Sequence, residues 1–255
     1  MKIGIIQGRL SEPTEGFQEC PVNWQREFSL LPSSGLSHIE WVVTEKNYWN
    51  NPIFSALNIN RDLVGSICAD FLVGPIFHDQ ARFHSYLGPV CNIARERGIN
   101  DITIPLLEDS SVENLKTRNI FVANMLPFIE MYSDFRFSFE VELGSTELKD
   151  ILSLSDNLFV TYDTGNMTSY GVNHPEYIEA VKGRINNIHL KDRKYDATTV
   201  PPGQGNTDFA LIFKELKRIG YDGRFTIQTA RESTGKELKT IKKHKNYFEE
   251  LYNGE

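Results

Sequence analysis

The sequence has little cysteine, no long apolar run and no excess of positive charge. Its cysteines, Cys20, Cys68 and Cys91, are far apart and lack the CxxC spacing of zinc and redox motifs, which argues against a disulfide framework and a zinc finger. No segment reaches the roughly 20 consecutive apolar residues of a membrane span. The apolar part of the opening MKIGIIQGRL is too short for a signal peptide. We therefore expect a reduced, cytoplasmic protein with no membrane partner.

The charge balance argues against a nucleic-acid partner. The 255 residues carry a formal net charge of -7. Tight nonspecific binding of nucleic acid needs stripes of Lys and Arg that neutralise phosphates, so we expect no such partner. A local basic pocket for one small phosphate is still compatible with this composition.

Eight apolar, β-rich segments alternate with helical segments along the whole chain. The predicted strands cover residues 2–7, 38–44, 63–71, 101–107, 135–143, 158–163, 185–190 and 224–229, and the main predicted helices cover 21–31, 78–97, 112–132, 146–154, 175–184, 208–219 and 236–252. Residues 45–60 predict a longer loop with a short helix, and 196–207 a Gly/Pro-rich loop. Strict alternation of this kind indicates a parallel sheet covered by helices.

The length favours closure of that sheet into a barrel. A (β/α)8 barrel needs about 250 residues, and the chain shows no linker or low-complexity tract that would separate a second domain. The predicted fold is therefore α/β, a single-domain (β/α)8 TIM barrel over residues 1–255.

Two neighbouring predicted strands end in polar side chains that can bind a metal. FVTYDTGN supplies Asp163 and Asn166, and INNIHLKD supplies His189, Lys191 and Asp192. One such ending alone would indicate a helix cap or a core histidine. Two of them one βα unit apart favour a functional site, because active sites of parallel barrels lie at the carboxyl ends of the strands.

The fifth predicted strand, FRFSFEVEL, alternates with a period of two residues. Its phenylalanines share one face, which should pack against helices, and Glu140 lies on the opposite face. In a small barrel that face points inward. Glu140, Asp163, His189 and Gln228 are then expected at one mouth. Two carboxylates and an imidazole suit a divalent ion such as Mn2+, Mg2+, Zn2+ or Co2+, and the Gln228 amide oxygen could complete the shell.

Other polar residues at strand ends are candidates for substrate binding. Glu40 and Asp70 could bind substrate hydroxyls or hold Lys191 and arginines, with structural pairing expected for at least one of them. Gln7 and Arg9 close the first strand, and Arg9 could face an anion.

Two features near the last strands could bind phosphate. Arg231 follows the eighth strand, where barrels often hold phosphate, and the backbone amides of GQG at 203–205 could serve the same purpose.

The remaining histidines and Cys68 carry no signal of a site. Cys68 lies inside a strand without a neighbouring base, which indicates packing rather than a nucleophile. The other histidines lack ligand spacing and are predicted to be surface or cap residues: His38, His78, His84, His174 and His244.

Several motifs in order resemble the sugar-phosphate isomerase/epimerase family of xylose-isomerase-like TIM barrels. They are KIGIIQGRLSEP, IEW, SICADF, FEVEL, VTYDTGN, NNIHLKDR with TTVPPGQGNTDF, and GYDGRFTIQTAR. By this resemblance Glu140, Asp163 and His189 match three metal ligands of the family. Gln228 stands where many members have a glutamate, and Asn166 where several epimerases have a histidine.

The resemblance implies an enzyme that removes a proton next to the carbonyl of a small sugar or sugar phosphate, with a bound metal ion. The family's ketose 3-epimerases use two metal-binding glutamates as acid and base, and only Glu140 remains here, because an amide cannot exchange a proton near neutral pH. Glu140 is then the predicted base. Lys191 could donate a proton or bind an anionic group, or equally well pair with Asp192.

Three further functions, and the oligomeric state, stay open at this point. A metal-dependent lyase or dehydratase on the same barrel would need only one base. A non-catalytic sugar-binding homologue would bind without turnover. A DNA-repair endonuclease of the superfamily is disfavoured, because such enzymes use more metal ligands and this chain is acidic. Barrels of the family often pair, so a homodimer is possible.

Overall fold

The computed structural model describes residues 1–13 and 19–254, and a closed barrel of parallel strands forms its centre. The strands are β1 (Lys2–Ile6), β2 (Ile39–Val42), β3 (Val64–Cys68), β4 (Asp101–Leu106), β5 (Arg136–Val141), β6 (Leu158–Asp163), β7 (Ile185–Leu190), β8 (Asp192–Arg193), β9 (Thr199–Val200) and β10 (Arg224–Ile227). Eight of them pair in the order β1-β10-β7-β6-β5-β4-β3-β2, and β2 pairs with β1 to close the ring. The predicted (β/α)8 TIM barrel is therefore confirmed.

The described residues also form eight α-helices. They are α1 (Trp24–Ser34), α2 (Gln80–Arg97), α3 (Leu115–Met131), α4 (Ser145–Leu152), α5 (Thr164–Tyr170), α6 (His174–Ala180), α7 (Phe209–Arg218) and α8 (Glu237–Asn253). None of these helices combines the length and the apolar character that crossing a membrane requires. The helix expected within 45–60 is replaced by two short 3-10 turns, Tyr48–Asn50 and Pro52–Phe54.

Side-chain caps account for the shifted starts of two predicted helices. The Asp79 carboxylate accepts the Arg82 N–H at 3.0 Å, so α2 begins only after it. The Asn114 side chain accepts the Lys116 N–H at 2.8 Å and starts α3 in the same way. Such caps satisfy N–H groups that the first helical turn leaves free. Gly98 adopts φ 69 and ends α2 as expected.

The core lies between the outer face of the barrel and the helices. Phe137 and Phe139 of β5 are fully buried on that face, and the Phe139 ring contacts Phe121 of α3 edge to face at 5.1 Å between centroids. The alternation of β5 therefore turns Glu140 to the barrel interior, as predicted.

The amino-terminal half of the barrel holds a buried histidine. His38 was expected to be a surface or cap residue, but its side chain is buried in the barrel, and a Cβ on Gly4 or on Gly65 would lie 2.4 Å from its ring. Two glycines therefore make the space for the ring. Its Nδ1 lies 2.9 Å from Ser37 Oγ and its Nε2 lies 3.3 Å from Thr226 Oγ1.

Two other histidines that were expected to be surface or cap residues are buried as well. The His174 ring lies between Tyr162 and Thr168, with Nδ1 2.5 Å from the Tyr162 hydroxyl. The His244 ring contacts Thr229 Oγ1 at 2.8 Å and Glu232 Oε1 at 2.6 Å. Hydrogen bonds to partners distant in sequence satisfy these rings, and spacing along the chain cannot reveal such partners.

The loop predicted at 196–207 is more ordered than its composition suggested. Strands β8 and β9 pair antiparallel as a small ribbon. Asp192 Oδ2 accepts N–H groups from Gly203 at 2.8 Å, Gln204 at 3.1 Å and Gly205 at 2.9 Å, and Oδ1 accepts the Thr207 N–H at 3.2 Å. The loop is thus folded around one carboxylate.

Candidate active site

Three consecutive barrel strands bring Glu140, Asp163 and His189 together at their carboxyl ends. Asp163 and His189 are direct partners in the β6–β7 register, and Glu140 is the fifth residue of β5. One ligand-type atom from each side chain lies within 4.8 Å of the others, and all three residues are buried. The structure therefore forms the cluster that the sequence predicted.

Glu40 of β2 fixes the orientation of the His189 ring. Its Oε2 lies 2.7 Å from His189 Nε2 and accepts an N–H from the Asn187 side chain at 3.2 Å. A carboxylate on one ring nitrogen sets the tautomer and leaves the other for a metal. Nδ1 faces Glu140 Oε2 at 3.2 Å.

The two oxygens of Asp163 have different partners. Oδ1 accepts the Asn166 N–H at 2.8 Å and so caps α5. Oδ2 faces the interior, where Lys191 Nζ lies 2.6 Å away. Lys191 therefore pairs with Asp163, not with Asp192 as the structural alternative supposed. The carboxylate of Asp192 is taken up by the loop amides instead.

Asn166 and Lys191 complete the inner surface around Glu140. The Asn166 amide donates to Glu140 Oε1 at 2.9 Å and accepts from Lys191 Nζ at 3.3 Å. Lys191 Nζ is 3.8 Å from Glu140 Oε1. Thr164 holds the base of this group, because its hydroxyl donates to the Lys191 carbonyl at 2.7 Å and accepts the Lys191 N–H at 3.0 Å.

Electrostatics in this pocket keep Glu140, Glu40 and the His189 imidazole charged without a metal, whereas burial raises the pKa of Asp163. Burial opposes ionisation of Glu140, but His189 and Lys191 outweigh it and lower the pKa of Glu140 to about 2. Burial likewise opposes protonation of His189, but Glu40 and Glu140 raise its pKa to about 10. The imidazolium thus bridges two carboxylates, and a cation at Nδ1 would take over the role of one ring proton.

Gln228 lies at the end of β10, next to the strand that carries His189. Its backbone N–H donates to the Leu190 carbonyl at 3.1 Å. Two residues earlier, Thr226 donates its hydroxyl to the interior side chain of Asn187 at 3.0 Å, so alternation directs Gln228 inward as well. Its Oε1 is buried and accepts no hydrogen bond from any residue that the structure describes.

The donor set fits a divalent cation. It offers two carboxylates, one oriented imidazole and one amide oxygen, which are ligands of Zn2+, Mn2+ and Mg2+ in proteins. Gln228 Oε1 is a buried acceptor that lacks a donor among the described residues. Buried acceptors are rarely left in this state. A cation would satisfy it and could also replace the proton of His189 Nδ1, which faces Glu140 Oε2 at 3.2 Å.

Of the other predicted substrate-binding residues, several serve the barrel frame. Gln7 is fully buried, and its Oε1 accepts the Val42 N–H at 2.9 Å. Arg9 is buried and donates from Nε to the Thr229 carbonyl at 3.2 Å. Arg231 donates to the carbonyls of Gly8 at 2.8 Å and Ser11 at 3.0 Å. Glu40 lies beneath His189, which favours a supporting role over direct contact with substrate.

The mouth above the cluster carries further carboxylates. Asp70 begins a 3-10 turn after β3 and stays partly exposed. Burial, with Glu140 and Glu108 nearby, raises its pKa to about 7. The sequence interpretation missed the pair of Glu142 Oε1 and Arg193 Nη1, 3.8 Å apart and both partly exposed. The alternation of β5 already placed Glu142 on the face of Glu140, so its position was detectable.

Comparison with known proteins agrees with this geometry. The family model described as "Xylose isomerase-like TIM barrel" matches residues 132–251, the part that contains all four predicted metal ligands. Residues 132–251 are therefore similar to the xylose isomerase-like TIM barrels. L-ribulose-5-phosphate 3-epimerase UlaE of Escherichia coli (strain K12) is 26% identical over 240 residues, which cover 82% of each chain. The matches to two further curated relatives span only 26% and 57% of those proteins.

Solved structures share the same barrel. A structure of L-ribulose 3-epimerase superposes with a TM-score of 0.75 at 16% identity, covering 99% of this chain and 94% of the other. The IOLI protein with a bound zinc atom superposes with a TM-score of 0.72 at 14% identity and covers 99% of both chains. At this identity the superpositions establish the fold. The epimerase names among the relatives agree with the enzyme class predicted from the sequence.

Proposed function

We propose that this barrel is a metal-dependent isomerase or epimerase that removes a proton next to the carbonyl of a small sugar. The observation that carries the proposal is the buried cluster of Glu140, Asp163 and His189, whose ligand atoms lie within 4.8 Å of one another. The unsatisfied Gln228 oxygen beside it supports a fourth ligand. The sequence similarity to UlaE supports the reaction class.

Glu140, Asp163, His189 and Gln228 would hold the ion. When bound, a divalent ion would polarise a substrate carbonyl and so make the neighbouring C–H group more acidic. Glu40 keeps the His189 ring in the orientation that presents Nδ1, and the α5 cap keeps Asp163 Oδ2 directed inward. The protein thus fixes its donor atoms before substrate arrives.

Glu140 is the proposed base. Its carboxylate is held from one side by the Asn166 amide at 2.9 Å, so the side chain has a defined position over the interior. A carboxylate in such a place can accept the proton that leaves the substrate carbon. Water has little access, because Glu140 is 3% exposed.

Lys191 is the proposed second proton-transfer or anion-binding group. Its ammonium lies among Asp163, Asn166 and Glu140 and can donate to an oxygen of a substrate in the same pocket. Gln228 cannot take this part, since an amide does not exchange a proton near neutral pH. The two proposed proton-transfer groups, a carboxylate and an ammonium, therefore differ chemically, whereas two glutamates would be equivalent.

That asymmetry also favours one alternative, a lyase or dehydratase. Elimination of water needs one base and one acid, and Glu140 with Lys191 would supply them. The cluster and the metal would be the same in both cases. The alternatives differ in whether the recovered product is an isomeric sugar or an unsaturated or dicarbonyl compound.

Elemental analysis and solvent isotope exchange test the proposal together. The purified protein should retain about one Mn, Zn, Mg or Co per chain, and the double variant Glu140→Ala/His189→Ala should lose it. The matched control is Glu130→Ala/His78→Ala, which changes the same residue types at exposed positions. The metal-loaded enzyme, incubated in D2O with a panel of ketoses, should return sugar that carries carbon-bound deuterium.

The outcomes distinguish the candidate functions. A new ultraviolet-absorbing product instead of labelled sugar would favour the lyase. Retained metal in the Glu140→Ala/His189→Ala variant would show that the site lies elsewhere. No metal in the parent protein after supplementation would contradict the proposal and leave a non-catalytic sugar-binding protein as the better account.

A further inference from the structure

We infer that the site accepts an uncharged ketose and discriminates against its phosphate ester. The inference rests on the proposed function, because it concerns the same site, and it narrows the substrate class. It is drawn from three features of the barrel mouth: the loop amides around Asp192, the partners of the nearby cations, and the carboxylates above the cluster.

The backbone amides that could cradle a phosphate already bind a carboxylate of the protein. Successive N–H groups of a glycine-rich loop form an anion site in many phosphate-binding proteins. Here the amides of 203–205 converge on Asp192 Oδ2 at 2.8–3.1 Å. Asp192 is buried, with 1% exposure, and follows β7 directly. A phosphate would have to displace this internal anion and unfold the loop around it.

The cations near the strand ends are also engaged by the protein. Arg231 binds the carbonyls of Gly8 and Ser11 and pairs with Glu19 at 3.3 Å. Arg193 contacts Thr199 Oγ1 through Nε at 3.3 Å and faces Glu142. Lys191 pairs with Asp163. These three side chains close loops or balance carboxylates, and a phosphate would compete with each existing partner.

The mouth itself repels a dianion. Asp70 and Glu142 are partly exposed there. Carboxylate oxygens accept hydrogen bonds from sugar hydroxyls well, but they disfavour another negative charge by Coulomb repulsion.

Matched substrates decide the question. L-ribulose and L-ribulose 5-phosphate differ only in the charged group, so binding of each to the metal-loaded protein is measured by calorimetry, and turnover is measured in parallel. We expect the Kd of the free ketose to be at least about tenfold lower than that of the phosphate ester, and its kcat/KM to be at least about tenfold higher. Inorganic phosphate at millimolar concentration, with metal kept in excess, should not compete with the ketose.

Charge variants test independently whether the carboxylates at the mouth set this substrate preference. Glu142→Gln removes one mouth carboxylate and should narrow the preference for free ketose by a few-fold. Glu130→Gln makes the same change in net charge on the exposed side of α3 and should leave the ratio unchanged. If Glu142→Gln and Glu130→Gln behave alike, the mouth charges do not set the preference.

The results distinguish failure of the inference from failure of the proposed function. Equal or tighter binding of the phosphate ester, or competition by inorganic phosphate, overturns the inference even if epimerisation is confirmed. Binding of the free ketose with no turnover and no deuterium exchange overturns the proposed function but upholds the substrate class. If neither compound binds, the inference is overturned as well.

Discussion

The two ends of this barrel contain similar charged side chains, but their buried carboxylates differ in the hydrogen-bond partners they have. At the amino-terminal end Asp101 accepts from Arg136 Nε at 2.7 Å and Nη2 at 2.6 Å, and from Arg224 Nη1 at 3.3 Å. The Asn186 side chain adds a fourth donor at 2.7 Å. Donors therefore surround this carboxylate.

At the carboxyl-terminal end several carboxylates share a small set of donors. Three carboxylates, those of Glu40, Glu140 and Asp163, share His189, Lys191 and a few amides. Gln228 Oε1 has no hydrogen-bond donor among residues 1–13 and 19–254. The comparison teaches that burial and charge do not by themselves distinguish a structural cluster from a functional one. A cluster of buried carboxylates with few donors marks a candidate binding site, because an unsatisfied buried group costs stability that a bound ligand can recover.

Among variants that change one of these two clusters, Glu140→Gln should have the largest effect, a loss of turnover. The variant keeps the size of the side chain but removes the proposed proton acceptor, so kcat should fall by about 10²–10⁴-fold. Steady-state kinetics with the metal-loaded protein measure it, with Glu130→Gln as the charge-matched control. Full activity in Glu140→Gln would rule out Glu140 as the base.

A smaller effect, on stability alone, is expected from Asp101→Asn. The change leaves two guanidinium groups without their carboxylate. Because Arg136 is half exposed, the free energy of unfolding should drop by about 2 kcal/mol, less than for a fully buried pair. Denaturant titration measures it, and kcat of the folded protein should not change. Asp134→Asn, which breaks the exposed pair with Arg95, is the control and should cost no more than about 0.5 kcal/mol.

The smallest effect is a pH dependence of stability due to His38. Burial, and to a lesser extent Arg224, lower its pKa from the usual 6.5 to about 4, while Glu40 opposes the shift. The unfolded chain then binds a proton that the folded chain does not, so the stabilisation is complete above about pH 6.5 and is lost as the pH falls toward 4.

Between pH 7 and 5.5 this histidine should account for about 1 kcal/mol of lost stability. Thermal unfolding across that range should show a flatter pH dependence in His38→Gln than in the parent protein. His78→Gln, at an exposed position, should keep the parent's slope. Equal slopes in all three proteins would mean that His38 titrates normally.

Much of the fold was predictable from local pattern. The strands Leu158–Asp163 and Ile185–Leu190 have the predicted bounds, because each is an apolar run with an abrupt polar end. The period-two alternation of β5 correctly turned Glu140 inward. Helix α5 was not delimited, because Asp163 both ends a strand and caps the helix that follows directly.

The three clustered side chains of the candidate site were predictable from the sequence, but the residues that support them were not. Glu140, Asp163 and His189 each stand at a strand end, and such positions can be read from the sequence. The contact of Glu40 with His189 joins residues 149 positions apart, and the binding of Asp192 by loop amides depends on the fold of the loop. Pairings of this kind depend on the closed barrel, which brings together residues that no short window contains.

Asp163 both caps α5 and presents a carboxylate oxygen to the barrel interior, and these two roles limit which residues can replace it. One oxygen closes the first turn of α5, and the other reaches the interior, so the side chain must be short enough for the cap and charged enough for the cluster. Asparagine could keep the first property and glutamate the second, but neither keeps both. Substitution of Asp163 is therefore constrained both by the helix cap and by the interior cluster. A homologue without the proposed chemistry would still be expected to have a capping residue at this position.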